Sequence, residues 1–419
     1  MAVTPDRPRI LLTEGSSLTA REVLTCLGPL GWHLEALDPD RLCIARLSRW
    51  LAKVHRCPPA GRDPLGYLAC LEATVVERQI DAVLPTHEQA WLLAAAGQLL
   101  SPALPLAVAG ASAFERVQSK LRFAILLDEL GLPQPGWRRV RSVAEEIDLD
   151  FPYWLKAAFS TAGRGVRLVG DERSRDAGLA ELLTDGGAEV MAQARARGRY
   201  GQVQGLFDRG RLVAVHTSVQ VGTGMGGSAA ARLSVEDRGA HEDIATLGEA
   251  LGWHGGLTLD YLSDDGARQY IECNPRTVEP ANAAASGVNI PELQVRLTLG
   301  EPLPPSPRRG RAGIRTHGTI ALLLGAAARR PKRRAVLAEL GRALVRSGSY
   351  RGSTEQLTPI IRDPPSLAAL AFIVARLLAS PAGAQDLAGA AVERYAITPE
   401  SVTTVTRARG LGSPADGVS

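Results

Sequence analysis

A chain of 419 residues is far longer than one hydrophobic core needs, and 45% apolar with 22% charged residues is ordinary for a soluble globular protein. A net charge of +4 is small for that length and argues against a dedicated nucleic-acid binder. Five cysteines (Cys26, Cys43, Cys57, Cys70 and Cys273) with no C-x-x-C pair argue against a disulfide framework or a structural zinc site. The opening "MAVTPDRPRILLTEG" lacks a signal-peptide core, and "LAALAFIVARLLA" is too short to span a bilayer and carries Arg376. The expectation is a cytoplasmic protein without membrane or nucleic-acid partners.

In chain order, "PRILLTEG" reads as a buried strand and "LTAREVLTCLGPLG" as a helix with a glycine stop. "WHLEALD" is a second strand, "DPLGYLACLEATVVERQI" a second helix, and "DAVLPTHEQAWLLAAAGQLL" a strand, a loop and a helix. This βαβαβ order predicts an open parallel sheet covered on both faces. Its first loop, "TEGSSLTA", is not a dinucleotide fingerprint. His87 and Glu88, at a strand end, read either as crevice residues or as a polar loop. Ser112 and Glu115 form an S-x-x-E capping box before a helix through Leu130, which puts Lys120 in mid-helix.

From Phe151 the pattern turns to strands: "FPYWLKAAF", a loop "STAGRG", then "VRLVG". "QVQGLF" and "RLVAVHTSVQ" flank "DRG", "VGTGMGGSAAARLS" is a second glycine-rich loop, and "HEDIATLGEALG" is a helix. "GLTLDYLS" and "ARQYIEC" form a hairpin about Asp-Asp-Gly. A short helix covers 291–300, "EPLPPSPRRGRAG" is a linker by composition, and a helical, Arg- and Ala-rich region follows with a tail from about residue 408. There, Tyr350, Arg351, Ser353, Glu355 and Thr358 read either as substrate or dimer contacts or as a structural cap. The run Arg329 to Arg334 reads as a solvated turn.

Alternation along "YIECNPR" puts Glu272 and Asn274 on one strand face, and pairing about the turn brings Asp260 to that face as a diagonal neighbour of Glu272. Two carboxylates and an amide oxygen are hard donors that suit magnesium. Pro275 ends the strand, and Arg276 projects beyond it toward an anionic group. Only Lys53, Lys120, Lys156 and Lys332 among the 48 basic residues are lysine. A lysine retained at the base of a small-residue loop suits phosphate. Lys120 and Lys156 would neutralise phosphate charge, and residues 160–165 would cover it.

This set resembles the ATP-grasp superfamily, over about residues 9–304, and most of all its carbamoyl-phosphate-synthase-like group of carboxylate–amine ligases. The most specific part is "IECNPR" followed by "ASGVNIPELQVRLTLGEPLP". The resemblance implies α/β and α+β architecture: a Rossmann-like pre-ATP-grasp domain (1–110), a two-lobed ATP-grasp domain (111–188 with the lid, 189–304 with the metal site) and a mostly helical C-terminal region (305–419). It implies that Lys120 and Lys156 contact ATP phosphates, and that Ser160, Gly163 and Gly165 belong to the lid. The backbone of Val190, Met191, Ala192 and Gln193 would read adenine. Asp260, Glu272 and Asn274 would hold Mg2+ (Mn2+ as an alternative), with Asp260 standing where glutamate or glutamine is more usual. Arg276 and Lys156 would be catalytic, and Arg276 and Arg232 would bind substrate. The acidic residue that holds ribose in many members has no counterpart in "ARARGRYGQVQ". The function expected is ADP-forming joining of a small-molecule carboxylate to an amine. Activation of bicarbonate and a non-catalytic nucleotide-binding module are the alternatives, and a homodimer is the default assembly.

Overall fold

The computed structural model describes residues 7–159, 165–183 and 189–412. In the first part β1 (Arg9–Leu12), α1 (Leu18–Leu27), β2 (His33–Asp38), β3 (Leu51–Arg56), α2 (Pro64–Arg78), β4 (Ala82–Leu84) and α3 (Gln89–Ala96) alternate. The strands form a parallel sheet in the order β3-β2-β1-β4. Ile10 and Leu12 pack toward α1 while Leu11 packs toward α2 and α3, so both faces are covered and the strand is apolar throughout. β3 is an addition to the sequence reading; as an edge strand with exposed Lys53 it lacks an apolar run.

The expected single helix around Lys120 is two: α4 (Ala111–Gln118) and α5 (Lys120–Glu129), broken at Ser119 (φ −77°, ψ 124°). The capping box does not form, because α4 starts from Gly110 without a side-chain cap. Ser119 instead caps α5, its Oγ accepting from Arg122 N–H at 3.3 Å, and the Lys120 N–H donates to Ala158 O at 2.8 Å. Lys120 therefore opens a helix rather than sitting within one. β5 (Trp137–Val140), β6 (Tyr153–Ala157), β7 (Val166–Val169), α6 (Glu172–Leu182) and β8 (Val190–Ala194) follow. Their antiparallel sheet runs β5-β8-β6-β7.

The largest sheet is built from β9 (Arg199–Asp208), β10 (Arg211–Thr223), β11 (Ala229–Val235), β12 (Gly255–Asp264) and β13 (Ala267–Asn274), with α7 (Arg238–Ala250) on its apolar face. The second glycine-rich stretch is largely strand, as the end of β10 and most of β11. α8 (Ala281–Ala285) and α9 (Ile290–Thr298) follow. The 301–313 stretch, expected as a linker, contains β14 (Arg308–Arg309), which pairs with β10. β15 (Arg315–His317) joins β11, then come α10 (Thr319–Arg329), α11 (Arg333–Leu344) and β16 (Ser353–Glu355), which pairs with β15. The sheet order is β13-β12-β9-β10-β11-β15-β16, so the C-terminal region extends the central sheet as well as supplying helices. α12 (Ser366–Ala379), α13 (Ala384–Tyr395) and α14 (Pro399–Gly412) complete the described chain, and α14 returns to pack on α2 and α3. α14 continues past residue 408, where the sequence reads as a tail. No helix among the described residues is long and apolar enough to cross a membrane.

Candidate functional site

The face of the large sheet opposite α7 is polar. Across it, register partners line up as Glu272, Asp260, Gln202, Ser218 and Ser234, and in a second row as Asn274, Thr258, Gln204 and His216. Burying so many polar side chains is costly unless they are bonded or await a ligand.

Asp260 lies directly opposite Glu272, where the sequence places it as a diagonal neighbour. Counting back from the Asp265-Gly266 turn would pair Asp260 with Ile271. A β-bulge between Asp260 and Tyr261 advances the register by one and brings Glu272 across. Gln202 Nε2 donates to Asp260 Oδ1 at 2.9 Å and Asn274 Nδ2 to Oδ2 at 3.1 Å. Burial, and then the Glu272 charge, raise the Asp260 carboxyl to about 6.

The lysines approach from α5 and β6. Lys156, on β6 and 8% exposed, donates to Gln193 Oε1 at 2.6 Å and to Ile271 O at 3.2 Å. Burial lowers its ammonium to about 8; Glu272 opposes this and Lys120 adds to it. Lys120 Nζ pairs with Glu272 Oε1 at 3.3 Å. Val190 to Gln193 lie in β8, paired with β5 on one side and β6 on the other. These residues also contribute the Gln193 side chain that holds Lys156. Gly165 closes the β6–β7 hairpin, its carbonyl accepting from Ala157 N–H at 2.8 Å; Ser160 and Gly163 lie outside the described residues.

Arg276 leaves the end of β13, and its Nη2 meets His87 Nε2 at 3.3 Å. Burial, and then the Arg276 charge, push the His87 imidazole well below its usual range, so it is neutral and accepts that bond. His87 in turn packs on the Tyr395 ring, with centroids 4.0 Å apart. Glu88 Oε2 accepts from Ile397 N–H at 3.1 Å. Of the two readings, the crevice one holds for Glu88, which lines the cleft that opens here with Trp91, Lys120, Glu272, Asn274 and Arg276 among others, while His87 reaches it through Arg276. Arg232 is on β11, 7% exposed, and its Nη2 bonds Glu279 Oε2 at 2.6 Å. Arg276 Nη1 and Arg232 Nη1 are buried donors without an acceptor among the described residues, which suits anionic or carbonyl oxygens of a ligand.

Gln202, Gln204 and His216 were not singled out from the sequence. Their signal is a polar residue at alternate positions of an otherwise apolar strand, as in "QVQGLF". In the C-terminal region Glu355 accepts from the Leu357, Thr358 and Thr319 N–H groups, which fits the structural-cap reading.

The donor set fits a hard divalent cation: two adjoining carboxylates share one face with an amide, and their mutual repulsion is what a cation between them would relieve.

No protein-family model matches the chain. The carbamoyl phosphate synthase large chain of Vibrio cholerae is 23% identical over 221 residues, 48% of this chain and 20% of that protein. That of Rubrobacter xylanophilus is 26% identical over 210 residues, 46% and 20%. The chain thus matches about a fifth of the length of these relatives. Among solved structures, an ADP complex of N5-carboxyaminoimidazole ribonucleotide synthetase superposes with a TM-score of 0.58 at 16% identity, covering 79% of this chain and 86% of that one. An L-amino acid ligase from Bacillus licheniformis gives 0.55 at 17%, covering 71% and 75%. The chain has the ATP-grasp fold, and its sequence likeness runs to the carbamoyl-phosphate-synthase-like group within it.

Proposed function

We propose that the protein is an ATP- and Mg2+-dependent ligase that activates a substrate carboxylate as an acyl phosphate and joins it to an amine, releasing ADP and phosphate. The observation that carries this reading is the meeting of Lys120 and Lys156 with Glu272 and Asp260 at the seam of two lobes. Phosphoryl transfer asks mainly for positioning and charge neutralisation, which such a set supplies. Asp260, Glu272 and Asn274 would hold magnesium, which when bound neutralises phosphate charge. Lys120 and Lys156 would bind phosphate oxygens, with Gln193 keeping Lys156 in place. Arg276, steadied by neutral His87, would hold the substrate carboxylate as charge develops on its phosphoryl group. Ser160, Gly163 and Gly165 would cover the phosphates and exclude water from the acyl phosphate. The division of the chain at residues 110, 188 and 304, a cytoplasmic location and a homodimer belong to the same proposal.

A second reading, with bicarbonate as the acid activated, is favoured by the names of the sequence relatives and of the superposing N5-carboxyaminoimidazole ribonucleotide synthetase. One screen tests both. ADP release is measured over a matrix of acids and amines, with bicarbonate present or removed, and products are identified by mass. ADP that requires an acid and an amine together supports the ligase; ADP that requires bicarbonate supports the second reading; no ADP under any combination sinks both.

A further inference from the structure

A second polar cluster lies past Arg276, where the 276–281 loop meets α1. Glu22, on α1, accepts one hydrogen bond, from Ala281 N–H to Oε2 at 2.9 Å, and has no ion-pair partner within 4 Å among the described residues. Burial raises its carboxyl to about 8, and the charge of nearby Glu279 pushes the same way. Glu279 already pairs with Arg232 at 2.6 Å. A cation beside Glu22 would offset both effects, of burial and of the Glu279 charge. Beside the two acids Arg232 Nη1 is buried with no acceptor among the described residues. This orphaned donor points to a ligand independently of the acids, because a buried guanidinium N–H without a partner is costly.

The backbone adds a third observation. Among the described residues five non-glycine residues have left-handed φ. Gln79 ends α2, Arg209 and Asp265 turn hairpins, and Arg346 follows α11. Glu279, at φ +44°, is in neither kind of turn and precedes α8. A residue with a Cβ held in that region by its surroundings points to a side chain placed for use.

We propose that Glu22 and Glu279 hold the ammonium head of the amine substrate, with Arg232 Nη1 donating to an oxygen carried close to that head. The inference rests on the ligase reading and locates its second substrate. The carboxylate substrate stays with Arg276. The amine enters from the α1 side, and the loop of residues 276–281 touches both.

The test uses the full chain and three small probes: glycinamide, with an ammonium and an adjacent oxygen; methylammonium, with the charge alone; and acetamide, with the oxygen alone. Saturation-transfer NMR is expected to rank glycinamide first, methylammonium second and acetamide last. Methylammonium in excess is expected to displace glycinamide. Glu22→Gln keeps an acceptor for the Ala281 N–H but loses the charge, and is expected to weaken glycinamide about tenfold, the loss of one charge-assisted hydrogen bond. Equal binding by that variant, or acetamide binding as well as glycinamide, overturns the proposal. Should the variant misfold, the competition in wild-type protein decides: no displacement by methylammonium also overturns it. With an active substrate pair, Glu22→Gln should raise the amine KM about tenfold and that of the carboxylate much less. An unchanged amine KM in an active enzyme rejects the amine site alone. Failure of ADP release with every pair rejects the ligase reading and leaves the probe result to decide whether this is an ammonium site.

Discussion

Asp260 and Glu272 were both identifiable from the alternation of "YIECNPR" and the turn before it, because strand geometry fixes which side chains share a face. Their partners were not: Gln202 reaches Asp260 across 58 residues of chain, and local pattern carries no pairing information at that range. If the two acids share a cation, Glu272→Gln should raise the Mg2+ concentration for half-maximal ADP release by about 10–100-fold. A variant with the wild-type magnesium profile would remove Glu272 from the metal site. A different acid governs stability. Glu35 is fully buried and bonded to Arg9, His33, His55 and Arg78. Burial alone would raise its carboxyl, but the Arg78, His55 and His33 hydrogen bonds outweigh it and hold the value at about 2, below the ordinary 4.5. A depressed folded-state value stabilises fully above about 4.5, and that contribution drains away as pH falls toward 2. Urea unfolding over pH 5 to 2 should therefore lose on the order of 3 kcal/mol more in wild type than in Glu35→Gln. Parallel pH profiles would count against this.

Among the elements, the hairpin β12–β13 shows where sequence reasoning stops. Asp-Asp-Gly and the flanking alternation predict its existence, but the bulge that sets Asp260 opposite Glu272 interrupts the β12–β13 register without any mark in that alternation. Likewise, apolar spacing runs unbroken from Phe114 to Leu130, so periodicity cannot see the break at Ser119; a side-chain cap and a backbone bond to Ala158 make it. The short strands β14, β15 and β16 are too brief for a period-2 signal; β14 and β15 add to free edges of β10 and β11, and β16 adds to β15. Gly256 gives an element-level prediction. A Cβ there would meet Thr277 Oγ1 at 2.2 Å and the Thr277 backbone nitrogen at 2.8 Å. The neighbouring Thr258 hydroxyl also donates to Arg276 O at 2.8 Å. Gly256→Ala should push the loop that carries Arg276 and lower kcat about tenfold or more, with nucleotide binding by calorimetry little changed. Wild-type kcat would show that the loop yields without consequence.

At the scale of the whole molecule, the C-terminal region is stitched to α1. Arg21 and Asp363, both fully buried, pair at 3.0 Å, and Arg21 also donates to Leu357 O. Nothing local announces a bond between residues 342 apart. Asp363→Ala would strand a buried guanidinium and should cost roughly 3–5 kcal/mol in denaturant unfolding. A loss below about 1 kcal/mol would mean that water reaches Arg21. Farther along, α14 lies on α3, every residue of which is buried, and Gln89 bonds Tyr395 O across 306 residues. During synthesis that face waits for its cover. At roughly 5–20 residues per second the delay is on the order of 15–60 s, long enough for a chaperone to bind α3 before the chain's own helix arrives.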